Sequence, residues 1–178
     1  GLEAPRGMAF ITPSALLVTE RAGRVRLVTG IEANAHGAPA TLVPEPVATV
    51  AVKADVEGGL LGIALSPAFA STHQFFLYYT HDDGRGGEAN RIERWILSND
   101  AHSARPDKIL VEGIAAGSFH DGGRLRVGPD GMLYAGTGDA RNTKLSQDLG
   151  SLNGKILRMT PDGAPPPDNP WPGSLVYV

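Results

Sequence analysis

A chain of 178 residues, 42% hydrophobic and 20% charged, is long enough to bury the core of one globular domain. Its net charge of −3 is spread among interspersed acids and bases, which argues against nucleic-acid or anionic-membrane partners, and no apolar run approaches the ~18 residues of a membrane span. The absence of cysteine excludes disulfides and thiolate metal sites, while 23 Gly and 14 Pro between apolar segments favour short strands over long helices.

In chain order, the same unit recurs three times: strand, proline turn, strand, further strand. Residues 7–11 lead through Pro13 to 16–19 and then 24–28. Residues 62–65 lead through Pro67 to 75–79 and then 91–97. Residues 124–127 lead through Pro129 to 132–135 and then 155–159. The units lie roughly 55–60 residues apart, and about four short strands per unit predict an all-β chain of four-stranded antiparallel propeller blades near 7–50, 60–112 and 120–160. A β-sandwich would also give short strands, without requiring this repeat. Residues 146–152 are the best helical candidate, and the five prolines within 163–173 predict an extended loop.

Propellers use four to eight blades, so three leave open edges. With residues 175–178 reading as one more strand, residues 1–178 are expected to form part of a larger propeller, open at its C-terminus. More chain or a second copy would complete it. Gly1 is not followed by a charged start and apolar core, so any secretory leader is expected to be already removed.

Chemistry concentrates between His120 and Asp139. Gly128-Pro129-Asp130-Gly131 reads as a tight turn joining two strands, with His120 before the first and Asp139 after the second. A hairpin brings such outer ends together at one sheet edge. On the residues alone a loop histidine such as His120 is more often solvated than catalytic, Asp139 could simply cap a turn, and Glu57 before Gly58-Gly59 could equally be a turn acid.

Other features read as structural. The acidic run 81–88 lacks the spacing of a calcium loop and reads as a solvated hairpin tip. His36, His73 and His102 show no metal-ligand spacing, and Trp95 and Trp171 read as packing residues. Gly136-Thr137-Gly138 lacks the third glycine and the helix of a dinucleotide site, and there is neither a phosphate loop nor a Gly-x-Ser-x-Gly elbow.

Several segments together carry a resemblance: Gly7-Met8-Ala9-Phe10, the run 17–24, Glu57-Gly58-Gly59 through Ala64, His120 to Asp139, Asn153-Gly154-Lys155-Ile156-Leu157-Arg158, Pro161-Asp162-Gly163 and Asp168-Asn169-Pro170. In this order the chain resembles the soluble PQQ-dependent aldose sugar dehydrogenases of the glucose/sorbosone dehydrogenase family. The resemblance implies a six-bladed propeller of about twice this length, of which residues 1–178 are the N-terminal half. It implies oxidation of an aldose at C1 to the lactone, with hydride passing to the quinone, PQQ and calcium as cofactors, and a separate electron acceptor. By the same resemblance His120 is the general base, Asp139 holds it, and Glu57 with Arg141 or Asn142 lines the substrate side. The segment and basic residues that grip the quinone, and the carbonyls that hold calcium, would lie beyond Val178, so no metal ligand is assigned within these residues. Phe119 stands where some relatives place an acid, Arg6 where Trp is common, and the loop 140–142 looks shorter. A periplasmic or secreted location follows from the family.

The alternative is a non-catalytic half-propeller, a scaffold or binding module whose edges pair with another chain, such as a homo-oligomer completing the ring. A metal-dependent lactonase propeller is a third option, for which the sequence shows no ring of acidic ligands.

Overall fold

The computed structural model describes residues 1–31 and 39–178, and His36 lies outside them. The alternating apolar runs form three antiparallel sheets. The first contains β1 (Pro5–Thr12), β2 (Ala15–Glu20), β3 (Arg24–Thr29) and β4 (Thr41–Leu42) in that order, with β5 (Ala48–Thr49) also paired to β3. The second contains β6 (Leu60–Leu65), β7 (Gln74–Asp82), β8 (Glu88–Leu97) and β9 (Ala104–Ala115). The third contains β10 (Gly122–Val127), β11 (Leu133–Thr137) and β12 (Ile156–Met159). Val176 adds only a single bridge to Leu157, so this sheet has three strands rather than the expected four. Among the described residues the sheets do not close into a barrel.

Period-two alternation lets each sheet present two faces, and the middle sheet buries both. One face packs Phe75, Leu77, Tyr79 and Trp95 against Leu17, Val25 and Leu27 of the first sheet. The other packs Phe76, Tyr78, Ile92 and Ile114 against Leu125, Leu133, Leu157 and Met159 of the third. This face-to-face stacking of small sheets is the blade packing of a β-propeller.

The inner strands β1, β6 and β10 converge through glycine. A Cβ at Gly62 would overlap the Gly123 carbonyl oxygen, and one at Gly7 would press the Leu61 carbonyl at 3.1 Å. The repeated glycine is therefore explained by close backbone approach between neighbouring inner strands. Each inner strand also carries a register shift at its start, between Pro5 and Gly7, Leu60 and Ile63, and Gly122 and Arg124. Such bulges bend a strand end and re-aim its side chains.

Helix is confined to α1 (Phe69–Thr72) and α2 (Lys144–Gln147) among the described residues. The expected helix at 146–152 instead ends at Gln147, because Asp148 is extended with φ −89° and ψ 109°. Residues 163–173 are not an extended loop but a run of turns, closed by Asn169 N–H to the Pro166 carbonyl (3.1 Å) and Ser174 N–H to the Trp171 carbonyl (3.0 Å). Proline removes donors but leaves its carbonyl free to close a turn. No helix is long and apolar enough to cross a membrane among the described residues.

Candidate functional site

The β10–β11 hairpin pairs Gly122 with Thr137, and the chain continues pairing beyond the ladder. Gly138 N–H donates to the Asp121 carbonyl (3.3 Å) and Ala140 N–H to the His120 carbonyl (3.2 Å). This places the imidazole and carboxylate nineteen residues apart in sequence within one hydrogen bond, His120 Nδ1 to Asp139 Oδ1 at 2.9 Å. Asp139 Oδ1 also accepts the Arg141 N–H at 2.9 Å. The His120 ring N–H beside it, helped by Arg141 N–H, holds the Asp139 carboxyl below the usual carboxylate range against partial burial. An ionised Asp139 accepts from Nδ1–H, and in the neutral imidazole that tautomer leaves Nε2 as an acceptor. The histidine side chain is 61% exposed, so Nε2 is open to an incoming group.

His120 sits at φ +66°, a left-handed conformation uncommon outside glycine. Its backbone is held at both ends. The N–H donates to Glu57 Oε2 at 2.7 Å, and the carbonyl accepts from Ala140. Glu57, expected on the substrate side, therefore also touches the main chain of the candidate base. Arg141 lays its guanidinium over the Phe119 ring, 5.6 Å from the centroid. Asn142 contributes its N–H to the Asp139 carbonyl at 2.8 Å.

Two adjoining depressions meet at Gly136 and Thr137. One, of about 460 Å³, is lined by the bulged starts of the inner strands, with Arg6, Glu57, Asp121 and Arg124 at its walls. The other, of about 530 Å³, is lined by His120, Asp139 and Lys155. Arg141 and Asn142 line neither. Arg6 and Arg124 make no ion pair among the described residues, which suits an anionic ligand.

Sequence reasoning missed the polar layer beneath the pair. Asp121 is 2% exposed, and its Oδ1 accepts from Asn90 Nδ2 (2.9 Å) and Gly117 N–H (3.1 Å). Oδ2 has no partner. Asn90 Oδ1 in turn accepts from Thr80 Oγ1 at 2.7 Å. Tyr78 donates its hydroxyl to the Asp121 carbonyl at 2.9 Å. Burial, with Asp121 nearby, pushes that hydroxyl above the usual tyrosine range, so it remains a donor. Asn153 accepts Ala115 N–H and donates to the Ala115 and Gly138 carbonyls. Asn90 is a polar residue at a fully buried strand position, where every polar atom needs a partner.

Stacked antiparallel blades, with a His–Asp pair at the start of the β10–β11 hairpin, define the class, a β-propeller protein. The chain belongs to the glucose/sorbosone dehydrogenase family, whose model matches residues 2–175. It is 32% identical over 176 residues to the aldose sugar dehydrogenase YliI of Escherichia coli K12, covering 96% of this chain and 44% of that protein. It is 25% identical over 194 residues to quinoprotein glucose dehydrogenase B of Acinetobacter calcoaceticus, covering 95% and 39%. The PQQ-bound aldose sugar dehydrogenase of Streptomyces coelicolor superimposes with a TM-score of 0.84 at 43% identity, covering 99% of this chain and 50% of that one. The chain spans about half the length of the curated relatives it matches.

Proposed function

We propose that this chain carries the base-bearing half of a PQQ-dependent aldose dehydrogenase site. The carrying observation is the 2.9 Å bond between His120 Nδ1 and Asp139 Oδ1, with the other ring nitrogen left free. A bound quinone would supply the hydride acceptor that side chains cannot provide. His120 Nε2 takes the proton of the sugar's C1 hydroxyl. Asp139 holds the tautomer and stabilises the imidazolium, and loss of hydride from C1 leaves the lactone.

The guanidiniums of Arg6 and Arg124 at the wall of the cleft fit the carboxylates of such a cofactor and would hold them there. Calcium is a different matter. Among the described residues no three His, Asp or Glu side chains gather to hold a metal ion, so no step through calcium is assigned to them. Glu57 is assigned to the sugar side through the carboxylate oxygen not bonded to His120. Arg141 and Asn142 stand at the rim. A periplasmic or secreted location goes with this reading, and cell fractionation tests it.

The deciding experiment is sugar-dependent dye reduction by the protein as its gene encodes it, loaded with PQQ and calcium. His120→Ala is expected to lower turnover by roughly 10²–10⁴, the usual worth of general-base catalysis. Near-normal turnover in that variant removes His120 from the mechanism.

A further inference from the structure

The loop carrying His120 is closed at its base by one side chain. Asp121 Oδ1 reaches back to Gly117 N–H at 3.1 Å, so residues 118–120 form a short tip pinched between the two. The same oxygen takes the Asn90 amide at 2.9 Å, which fastens the pinch to β8 of the middle sheet. Asn90 is itself oriented by Thr80 on one side and donates to the Ala115 carbonyl (3.3 Å) on the other. Thr80, Asn90 and Asp121 are at most 2% exposed, so no solvent competes for these bonds.

We propose that Asp121, held by Asn90, is a positioning residue for His120. The pair clamps the loop so that His120 stays in its left-handed conformation with Nδ1 against Asp139. Three facts join in this assignment. The clamp spans just the tip that bears the imidazole. His120 holds a φ of +66° that a non-glycine residue keeps only where its surroundings dictate it. Asp121 also lines the cleft beside His120, so the clamp lies directly under the site. The assignment rests on the dehydrogenase reading for its kinetic consequence, but its structural content stands apart from it.

The test uses Asp121→Ala, Asn90→Ala and Asp121→Asn in the PQQ-loaded protein, with imidazole NMR of His120 in the unloaded one. Both alanine variants are expected to lower kcat by roughly 10–100-fold, the scale of an ångström-level misplacement, with KM within about twofold. Asp121→Asn keeps the Oδ1 acceptor and changes only the unpartnered oxygen, so it should recover most of the rate. In a His120→Ala background, Asp121→Ala should cost no further rate. The His120 signal should report a proton fixed on Nδ1 in the parent and a tautomer mixture in Asp121→Ala. If Asp121→Ala fails to fold, Asn90→Ser tests the same clamp. Unchanged kcat together with an unchanged tautomer overturns the proposal, as does an additive loss in the His120→Ala background. An inactive parent whose tautomer still depends on Asp121 overturns the dehydrogenase reading and keeps the clamp.

Discussion

Gly138 shows how tightly the backbone is drawn around the candidate base. A Cβ there would overlap the His120 carbonyl oxygen, because Gly138 N–H bonds Asp121 while its own carbonyl accepts Gly154 N–H (2.9 Å) and the Asn153 amide (3.0 Å). Neither side can retreat. Gly136, two residues earlier, would place its Cβ 3.9 Å from Arg124 Cβ, an ordinary contact. Gly138→Ala is therefore expected to destabilise by about 1–3 kcal/mol, as overpacking does, and to lose turnover by shifting His120. Gly136→Ala should cost clearly less in both. Thermal unfolding and dye reduction on the two variants decide it, and equal losses would refute the close-approach argument. His120, Asp139 and this glycine were legible as one motif because a hairpin turns sequence symmetry about its tip into spatial contact. Asn90 and Asp121 were not read as site residues. Their role depends on one sheet packing on the next, which no local pattern encodes.

At the scale of elements, Arg158 explains why distant segments recur together. From β12 its guanidinium reaches Asp130 in the β10–β11 turn (2.9 Å) and Asp168 (2.8 and 3.1 Å) and Asn169 (2.9 Å) in the proline-rich loop. It also faces the rings of Tyr134 and Tyr177. The Arg158 bond holds Asp168 below the usual carboxylate range. Burial pushes Asp130 up, but bonds from Tyr134, Met132 N–H and Arg158 outweigh it, leaving that carboxyl low as well. A carboxylate depressed in the folded state stabilises the fold above its unfolded pKa, and the gain is lost as pH falls through the folded value. The melting-temperature gap between the parent and Arg158→Met should then be widest at neutral pH and narrow steadily on acidification through the carboxylate range. A gap independent of pH would show that the ion pairs contribute nothing. The strands were readable from alternation and proline turns, yet the loop at 163–173 was misread. Its compact turns depend on this arginine from another element, and composition alone carries no trace of that.

For the molecule as a whole, the two outer sheets each expose large apolar side chains on a strand at their edge. On β1, Ala9 and Ile11 join the core while Met8 and Phe10 are 61% and 54% exposed. At the other end Ile156 and Val178 are 43% and 66% exposed. In the middle sheet β6, β7 and β8 are instead packed on both sides. In a propeller every blade buries both faces, so these surfaces are shaped to meet further blades, and apolar patches of this kind drive association when left open. The 178-residue chain alone is therefore expected to self-associate with rising concentration in light scattering. Met8→Glu with Phe10→Glu should move it toward the monomer mass. Both positions point away from the core, so the strand should survive the change, as circular dichroism would verify. A parent chain that stays monomeric at high concentration would mean that these faces are tolerated in water. The open ring would then be a stable state of the chain, requiring neither a second copy nor more blades to hold the His120–Asp139 hairpin in place.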